Sequence, residues 1–192
     1  LETVRSLGIK TNDQIVAYDD VGGMYAARFW WMMRWLGHEN VALLDGGIQQ
    51  WGSKLESGES SARTTKSYYS SSKMLTKLIE INELTELLLE NESSKVVSLV
   101  DARPRERFAG LKESIDKTAG HIPGAFCLPF RGNLNPDLRF KKAEKLRARY
   151  EEIYGDRISE GICYCGSGVS ACHNILAANI AALGELTLFA GS

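Results

Sequence analysis

One short segment brings together the residue types that nucleophilic catalysis needs. Cys165-Gly-Ser-Gly-Val-Ser170 lies between an apolar run at residues 161–164 and a run rich in Ala, Leu and Ile at residues 171–183. The first run predicts a buried strand and the second a helix. A tight glycine-rich turn between them would point several backbone N–H groups at one spot, where the helix N-terminus adds partial positive charge. A sulfur at that spot is favoured as thiolate, its nucleophilic form.

The same residues also fit a buried structural cysteine ahead of a glycine-rich turn, because cysteine is among the most buried residue types. A zinc site built from Cys163, Cys165, Cys172 and His173 is disfavoured, since Cys163 and Cys165 alternate on one strand and point to opposite faces. A nucleotide-binding loop would need a Lys after the glycines. A cysteine phosphatase would need an Arg at the position of Ala171. No metal and no cofactor are predicted.

Two further loops are expected beside this cysteine. The arginine-rich segment 101–108 follows a predicted strand, and Gly120-His-Ile-Pro-Gly-Ala125 precedes another. Ligands of open α/β sheets bind at the carboxyl ends of the strands. Arg107 is predicted to hold an anionic substrate, and Arg105 to be a solvated charge. Arg103 is expected either to join the substrate site or to pair with the neighbouring Asp101.

Two histidines have mainly structural interpretations. His121, in the second of these loops, is either a base or, as we favour, a residue that holds the loop. His38 follows Gly37 and is expected to lie at a helix end, where its charge suits the helix dipole.

Composition restricts the class of protein. The 192 residues are 44% hydrophobic and 24% charged, with a formal net charge of −1. Such a chain is expected to be globular and soluble, and its charge gives no reason to expect nucleic acid or a membrane surface as partner. The longest apolar stretch, residues 29–33, is too short to span a bilayer. Four cysteines at this length do not make a disulfide scaffold, so we expect a reducing compartment such as the cytoplasm.

Strands alternate with helices along the chain, which predicts an α/β fold with open parallel sheets flanked by helices. Near the N-terminus, apolar runs at 14–18 and 41–44 enclose an aromatic-rich helix at 24–36. One such strand–helix–strand unit cannot cover both faces of a sheet. We therefore expect residues 1–55 to be the C-terminal part of a non-catalytic domain, and part of this helix to face water.

A second domain is predicted after a linker. Residues 56–73 are serine-rich and lack apolar periodicity, which indicates a linker, and residues 74–192 hold alternating strands and helices. Both halves contain a strand, a helix and a strand that ends near a glycine-rich turn. This shared order indicates a weak internal duplication.

The motifs of the second half, taken together, resemble the catalytic domain of rhodanese-type sulfurtransferases, and the cysteine loop is most similar to the mercaptopyruvate form. The N-terminal segment resembles the end of the family's catalytically silent first domain, so that the likeness covers essentially the whole chain. The motifs that carry it are Asp101-Ala-Arg103, Arg107-Phe108, Gly120-His-Ile-Pro-Gly-Ala125, Cys165-Gly-Ser-Gly-Val-Ser170, Gly23-Met-Tyr-Ala-Ala-Arg28 and Leu44-Asp-Gly-Gly-Ile-Gln-Gln-Trp51.

The resemblance implies two tandem rhodanese domains, of which the second transfers sulfur. Cys165 would take a sulfane sulfur from 3-mercaptopyruvate or thiosulfate and pass it to a thiol, thioredoxin or cyanide. Arg107 would bind the donor, Ser167 would assist thiol activation, and Tyr25 would approach the site from the first domain. The backbone N–H groups that would cradle the persulfide belong to Gly166, Ser167, Gly168, Val169 and Ser170.

Some departures from the family pattern keep alternatives open. Segment 111–119 lacks a second donor-binding arginine, for which Lys112 or Lys117 is a weak substitute, and Ser170 replaces a common Thr. By this resemblance the chain is expected to start inside the first domain and to end at Ser192, before the family's usual tail. Three functions are therefore carried forward: an enzyme with its own small-molecule donor, a persulfide carrier or redox module without one, and a non-catalytic binding domain.

Overall fold

Short parallel strands and helices alternate along the chain. The computed structural model describes residues 1–58, 66–70, 73–90, 98–155 and 160–191. The helices are α1 (Glu2–Ser6), α2 (Met24–Trp35), α3 (Ile81–Glu90), α4 (Arg105–Phe108), α5 (Ala143–Tyr154) and α6 (Val169–Ile180). The strands are β1 (Ile15–Ala17), β2 (Val41–Leu43), β3 (Lys77–Ile79), β4 (Leu99–Asp101), β5 (Phe126–Cys127), β6 (Ile162–Tyr164) and β7 (Thr187–Phe189).

The strands form two parallel sheets, which confirms the predicted α/β fold. β1 and β2 pair in a small sheet, with Ile15 opposite Val41. The other five strands form a sheet in the order β3-β7-β6-β4-β5, and each neighbouring pair is parallel. The carboxyl ends of β4, β6 and β7 therefore lie side by side at one edge, where a ligand site is expected in an open sheet.

The structure places some element boundaries differently from the sequence analysis. Helix α6 begins at Val169 rather than at residue 171, because Gly168 takes a left-handed conformation and starts the helix directly. Helix α4 forms within the segment that was expected to be only a loop. Strand β3 was not predicted, since its three residues carry too little periodic signal.

Helix α2 packs against α6 and so joins the two halves of the chain. Trp30 and Trp31 of α2 are buried in the same apolar core as Ile175 of α6. The opposite side of α2 faces water, where Met32 and Trp35 are exposed. Burial of the tryptophans is a major contribution to stability, because truncating such a side chain costs about 3–5 kcal/mol.

Part of the predicted linker packs on the N-terminal half. Tyr69 is buried, stacks on His38 at 5.8 Å between ring centroids, and accepts hydrogen bonds from Arg5 through its carbonyl oxygen. Residues 59–65 and 71–72 of the predicted linker lie outside the described part of the chain, and the predicted domain boundaries stay a prediction. Within the described ranges, each helix is too short or too polar to cross a membrane.

Candidate active site

The cysteine loop connects the end of β6 to the start of α6. Cys165 follows β6 directly and is 4% exposed. The backbone N–H of Ser167 points at the sulfur, with an N···S distance of 3.4 Å. Gly168 has a φ of 71° and turns the chain into α6. The loop thus sets the sulfur near the N-terminus of α6, which is the positive end of the helix dipole.

The two glycines of the loop allow neighbouring groups to approach closely. A Cβ at Gly168 would lie 3.1 Å from the Cα of Ala190, which follows β7. A Cβ at Gly166 would lie 3.4 Å from Nη2 of Arg107. The residues that the sequence predicts for this site, Cys165 to Ser170, lie in this loop and in the first turn of α6. Ser167 is the exposed residue of the loop.

A cavity of about 560 Å³ opens beside Cys165. The residues that matter for chemistry in its wall are Arg103, Asp116, Lys117, Tyr164, Cys165 and Phe189. Lys117, one of the two residues suggested as substitutes for a second donor-binding arginine, therefore lies in the wall of this cavity. Tyr25 and Arg107 are not among the described residues that line it.

Arg103 serves the fold rather than a free anion site. Its guanidinium donates to both carboxylate oxygens of Asp101, with Nη2 2.7 Å from Oδ2, and also to the carbonyl oxygen of Gly120 at 2.6 Å. Asp101 is fully buried, and Arg103 is nearly so. This pairing is one of the two alternatives left open by the sequence. It fixes the loop after β4 against the loop before β5.

Arg107 lies beside the cysteine loop and is held by two carboxylates. Nε and Nη2 donate to the two oxygens of Glu113 at 3.0 and 2.9 Å, and Nη2 also lies 2.7 Å from Oδ2 of Asp116. Backbone N–H groups of Ile115 and Asp116, assisted by Arg107, lower the pKa of Glu113 to about 2. Glu113 is therefore ionised at neutral pH. The neighbouring Arg105 is exposed, as expected of a solvated charge.

His121 holds the arginine-rich segment in place. Its Nδ1 lies 2.7 Å from the carbonyl oxygen of Phe108, and the two rings stack with centroids 3.6 Å apart. The following residue, Ile122, donates its backbone N–H to the hydroxyl of Tyr164 at 3.1 Å. These contacts fit the structural role that the sequence favoured for His121.

Two of the other three cysteines, Cys163 and Cys172, are buried and contact polar groups within the protein. Cys163 faces the hydroxyl of Tyr154 at 3.6 Å, and Cys172 donates to the carbonyl oxygen of Gly168 at 3.1 Å. Burial raises the pKa of both Cys163 and Cys172 to about 12, so both are thiols at neutral pH. Burial also raises the pKa of Cys127.

The N-terminal half reaches the site through α2. Nη1 of Arg28 lies 3.7 Å from the sulfur of Cys172 and would lie 3.4 Å from a Cβ at Gly168. Arg28 was not singled out from the sequence, because the pairing joins residues that are 144 positions apart. Tyr25, in the first turn of α2, is 59% exposed.

The loop before α2 offers an internal comparison with the cysteine loop. Asp19 lies two residues beyond the end of β1 and Cys165 lies directly after β6, and each loop ends in a left-handed glycine that starts a helix. The Asp19 carboxylate accepts from the N–H groups of Val21, Gly23, Tyr25 and Ala26 at 2.7–3.0 Å. Partial burial opposes ionisation of Asp19, but these hydrogen bonds together lower its pKa. A loop of this kind therefore stabilises an anion.

Comparisons with known proteins agree with this geometry. The model of the rhodanese-like domain family matches residues 1–54 and 82–191. A probable 3-mercaptopyruvate sulfurtransferase of Pseudomonas aeruginosa is 40% identical, over 98% of this chain and 66% of that protein. The thiosulfate sulfurtransferase of Bos taurus is 34% identical, over 98% of this chain and 64% of that protein. The chain thus spans just under two thirds of the length of these curated relatives.

Solved structures show the same fold. The 3-mercaptopyruvate sulfurtransferase from Leishmania major is 27% identical with a TM-score of 0.78, covering 100% of this chain and 53% of that one. SseA from Escherichia coli, described with 3-mercaptopyruvate sulfotransferases, is 27% identical with a TM-score of 0.79, covering 99% of this chain and 70% of that one. With the family match extending over most of its residues, the chain belongs to the rhodanese-like domain family.

Proposed function

We propose that the chain is a sulfurtransferase in which Cys165 carries the transferred sulfur as a persulfide. The donor is 3-mercaptopyruvate or thiosulfate, and the acceptor is a thiol, thioredoxin or cyanide. The observation that carries the proposal is the position of Cys165, which lies in a helix-starting loop and in the wall of an open cavity. The names of the bacterial and bovine relatives support this reaction class.

The reaction takes place in two displacement steps. The Cys165 thiolate attacks the donor sulfur, so that a new S–S bond forms as the C–S bond of mercaptopyruvate breaks, and the pyruvate enolate leaves and takes up a proton. With thiosulfate, the S–S bond of the donor breaks instead and sulfite leaves. The acceptor thiolate or cyanide then attacks the outer sulfur of the persulfide. This second step regenerates the Cys165 thiolate and yields a new persulfide or thiocyanate.

The loop would stabilise the anionic sulfur through its backbone. Ser167 already directs its N–H at the Cys165 sulfur, and the analogous carboxylate of Asp19 receives several N–H groups in the first half. We assign the Ser167 hydroxyl, which is exposed, to assisting thiol ionisation. The remaining cradle residues are Gly166, Gly168, Val169 and Ser170.

Arg107 is the donor-binding residue in this proposal, since its guanidinium adjoins Gly166 and suits a carboxylate or thiosulfate. Tyr25 is assigned to the entrance of the site, which its exposure on α2 permits. One observation favours the second candidate function, a persulfide carrier without its own small-molecule donor: both Glu113 and Asp116 already occupy Arg107.

Three broader assignments accompany this function. We place the protein in the cytoplasm, where its four free cysteines would stay reduced. We interpret the two halves as a duplicated domain, because α2 and α6 both follow a strand and begin after a left-handed glycine. We keep residues 1–55, 56–73 and 74–192 as the non-catalytic part, the linker and the catalytic domain.

A product assay distinguishes the candidates. The protein is mixed with cyanide and with either 3-mercaptopyruvate or thiosulfate, and pyruvate, sulfite and thiocyanate are measured. An enzyme with its own donor forms thiocyanate together with pyruvate or sulfite, and the rates identify the donor. A carrier forms thiocyanate faster than the protein-free mixture only when inorganic polysulfide is supplied. Thiocyanate formation no faster than in the protein-free mixture under all three conditions would leave only the non-catalytic binding domain.

A further inference from the structure

Two arginines and three carboxylates form a cluster beside the cysteine loop. Arg103 pairs with Asp101, and Arg107 pairs with Glu113 and Asp116. Arg103 also lies 3.5 Å from Asp116 and 3.6 Å from Glu113. The negative charges of this cluster therefore exceed its positive charges, although the proposed donors are anions.

The three carboxylates differ in what else they hold. Asp101 is fully buried against Arg103, and its backbone belongs to β4. Glu113 is almost buried and accepts the backbone N–H groups of Ser114, Ile115 and Asp116, so it shapes its own turn. Removing either charge would disturb the fold.

Asp116 is the carboxylate of this cluster that both pairs with Arg107 and lines the cavity beside Cys165. Its side chain is 27% exposed and forms part of the cavity wall that contains Cys165. Its Oδ2 lies 2.7 Å from Nη2 of Arg107 and would lie 3.6 Å from a Cβ at Gly166. The carboxylate thus holds the guanidinium nitrogen nearest the cysteine loop.

We propose that Asp116 is a specificity-determining residue that competes with anionic sulfur donors for Arg107, an inference that rests on the proposed sulfur transfer. A donor carboxylate or thiosulfate that binds Nη2 of Arg107, the guanidinium nitrogen nearest Gly166, must displace Asp116 from it. A neutral thiol acceptor needs no such exchange. The native site therefore disfavours anionic donors relative to neutral acceptors. Charge-assisted contacts change binding by about ten- to hundredfold, and partial exposure of Asp116 sets the expectation at the lower end.

The test replaces Asp116 by Asn, which keeps the shape and removes the charge. KM for 3-mercaptopyruvate and for thiosulfate should fall about tenfold, because the competing charge is gone. The kcat should stay within about twofold, and KM for dithiothreitol as a neutral acceptor should not change, since neither depends on this exchange. The matched control is Glu106→Gln, the same charge change at an exposed residue of α4.

A double-mutant comparison ties the effect to Arg107. Arg107→Ala should raise KM for the anionic donors, and adding Asp116→Asn in that background should no longer lower it. Thermal melts show whether each variant is folded. The inference is overturned if Asp116→Asn leaves the donor KM unchanged or raises it, if Glu106→Gln lowers it equally, or if the effect persists without Arg107. The KM comparison tests only the role of Asp116. The proposed function itself is overturned by a different result, which is that the wild-type protein transfers no sulfur.

Discussion

Nε2 of His173, on α6, lies 3.0 Å from the carbonyl oxygen of Gly22, in the loop before α2. The other ring nitrogen, Nδ1, lies 3.2 Å from the side-chain amide of Asn133, and the ring stacks on Phe140 with centroids 4.5 Å apart. A neutral imidazole that donates through Nε2 and accepts through Nδ1 satisfies both contacts. His173 therefore joins the helix that follows the cysteine loop to the N-terminal half, and it does so as a structural residue.

This contact predicts a pH dependence of stability. Burial lowers the pKa of His173 from 6.5 to about 4 in the folded protein. The unfolded chain therefore binds a proton that the folded protein does not, and this group's contribution is lost as the pH falls from 6.5 towards 4. About 2 kcal/mol should be lost by pH 5. The stabilising contribution of Glu113, whose pKa is lowered from 4.5 to about 2 in the folded protein, is present at both pH 7 and pH 5 and is lost only as the pH falls below 4.5.

Urea unfolding at pH 7 and pH 5 measures this effect. The free energy of unfolding of the wild-type protein should fall by about 2 kcal/mol more than that of His173→Gln, which cannot titrate. The comparison uses the difference between the two pH values, so a lower overall stability of the variant does not affect it. Equal pH slopes for the two proteins would contradict the assignment of a buried neutral imidazole.

A second prediction concerns Arg28, the cation that α2 brings to the cysteine loop. Arg28→Met keeps an apolar stem over Trp31 but removes the charge beside Gly168. Persulfide formation should slow about tenfold, because a charge that favours the anionic sulfur is lost. Arg34→Met is the matched control, since Arg34 lies on the same helix over the ring of Trp30. Rapid-quench measurement of a single turnover should show slower persulfide formation in Arg28→Met and not in Arg34→Met. Equal rates in the two variants would refute this role of the Arg28 charge.

A third prediction concerns the glycine that starts α6. Gly168→Ala should be more costly than Gly124→Ala, although both positions have positive φ. The left-handed conformation costs each alanine about 1–2 kcal/mol. At Gly168 the new methyl group would in addition lie 3.1 Å from the Cα of Ala190, whereas at Gly124 it meets no atom within 4 Å. Thermal melts and turnover should both decline more for Gly168→Ala, and an equal decline in the two variants would show that the loop can shift away from Ala190.

The sequence was sufficient to locate the cysteine loop and the α/β fold. A short apolar strand, a glycine-rich turn and a helical run are local signals, and parallel strands bring the ends of β4 and β6 together by topology alone. Gly168 was also readable as a turn residue. Helix α6 nevertheless begins at Val169, two residues before the predicted helical run, because the left-handed Gly168 both ends the turn and precedes the first residue of the helix.

The partners of the site residues were not readable in the same way. Segment 111–119 has no apolar periodicity, so nothing in it indicated that Glu113 and Asp116 turn back onto Arg107. Arg28 contacts Cys172, which is 144 positions away in the sequence, and a single sequence contains no signal for a contact between such distant residues. Local pattern thus located Cys165 and its loop, whereas the charges that surround them required the folded structure.

The measurement that tests the central claim most directly is the intact mass of the protein after mixing with a sulfur donor. Wild type and the variants Cys127→Ser, Cys163→Ala and Cys172→Ala should each gain one sulfur atom, which cyanide then removes. Cys165→Ser should gain none, because the other cysteines have raised pKa values and remain thiols at neutral pH. A sulfur adduct on Cys165→Ser would contradict the assignment of Cys165 as the sulfur carrier. So would a folded variant of Cys127, Cys163 or Cys172 that gains no sulfur atom.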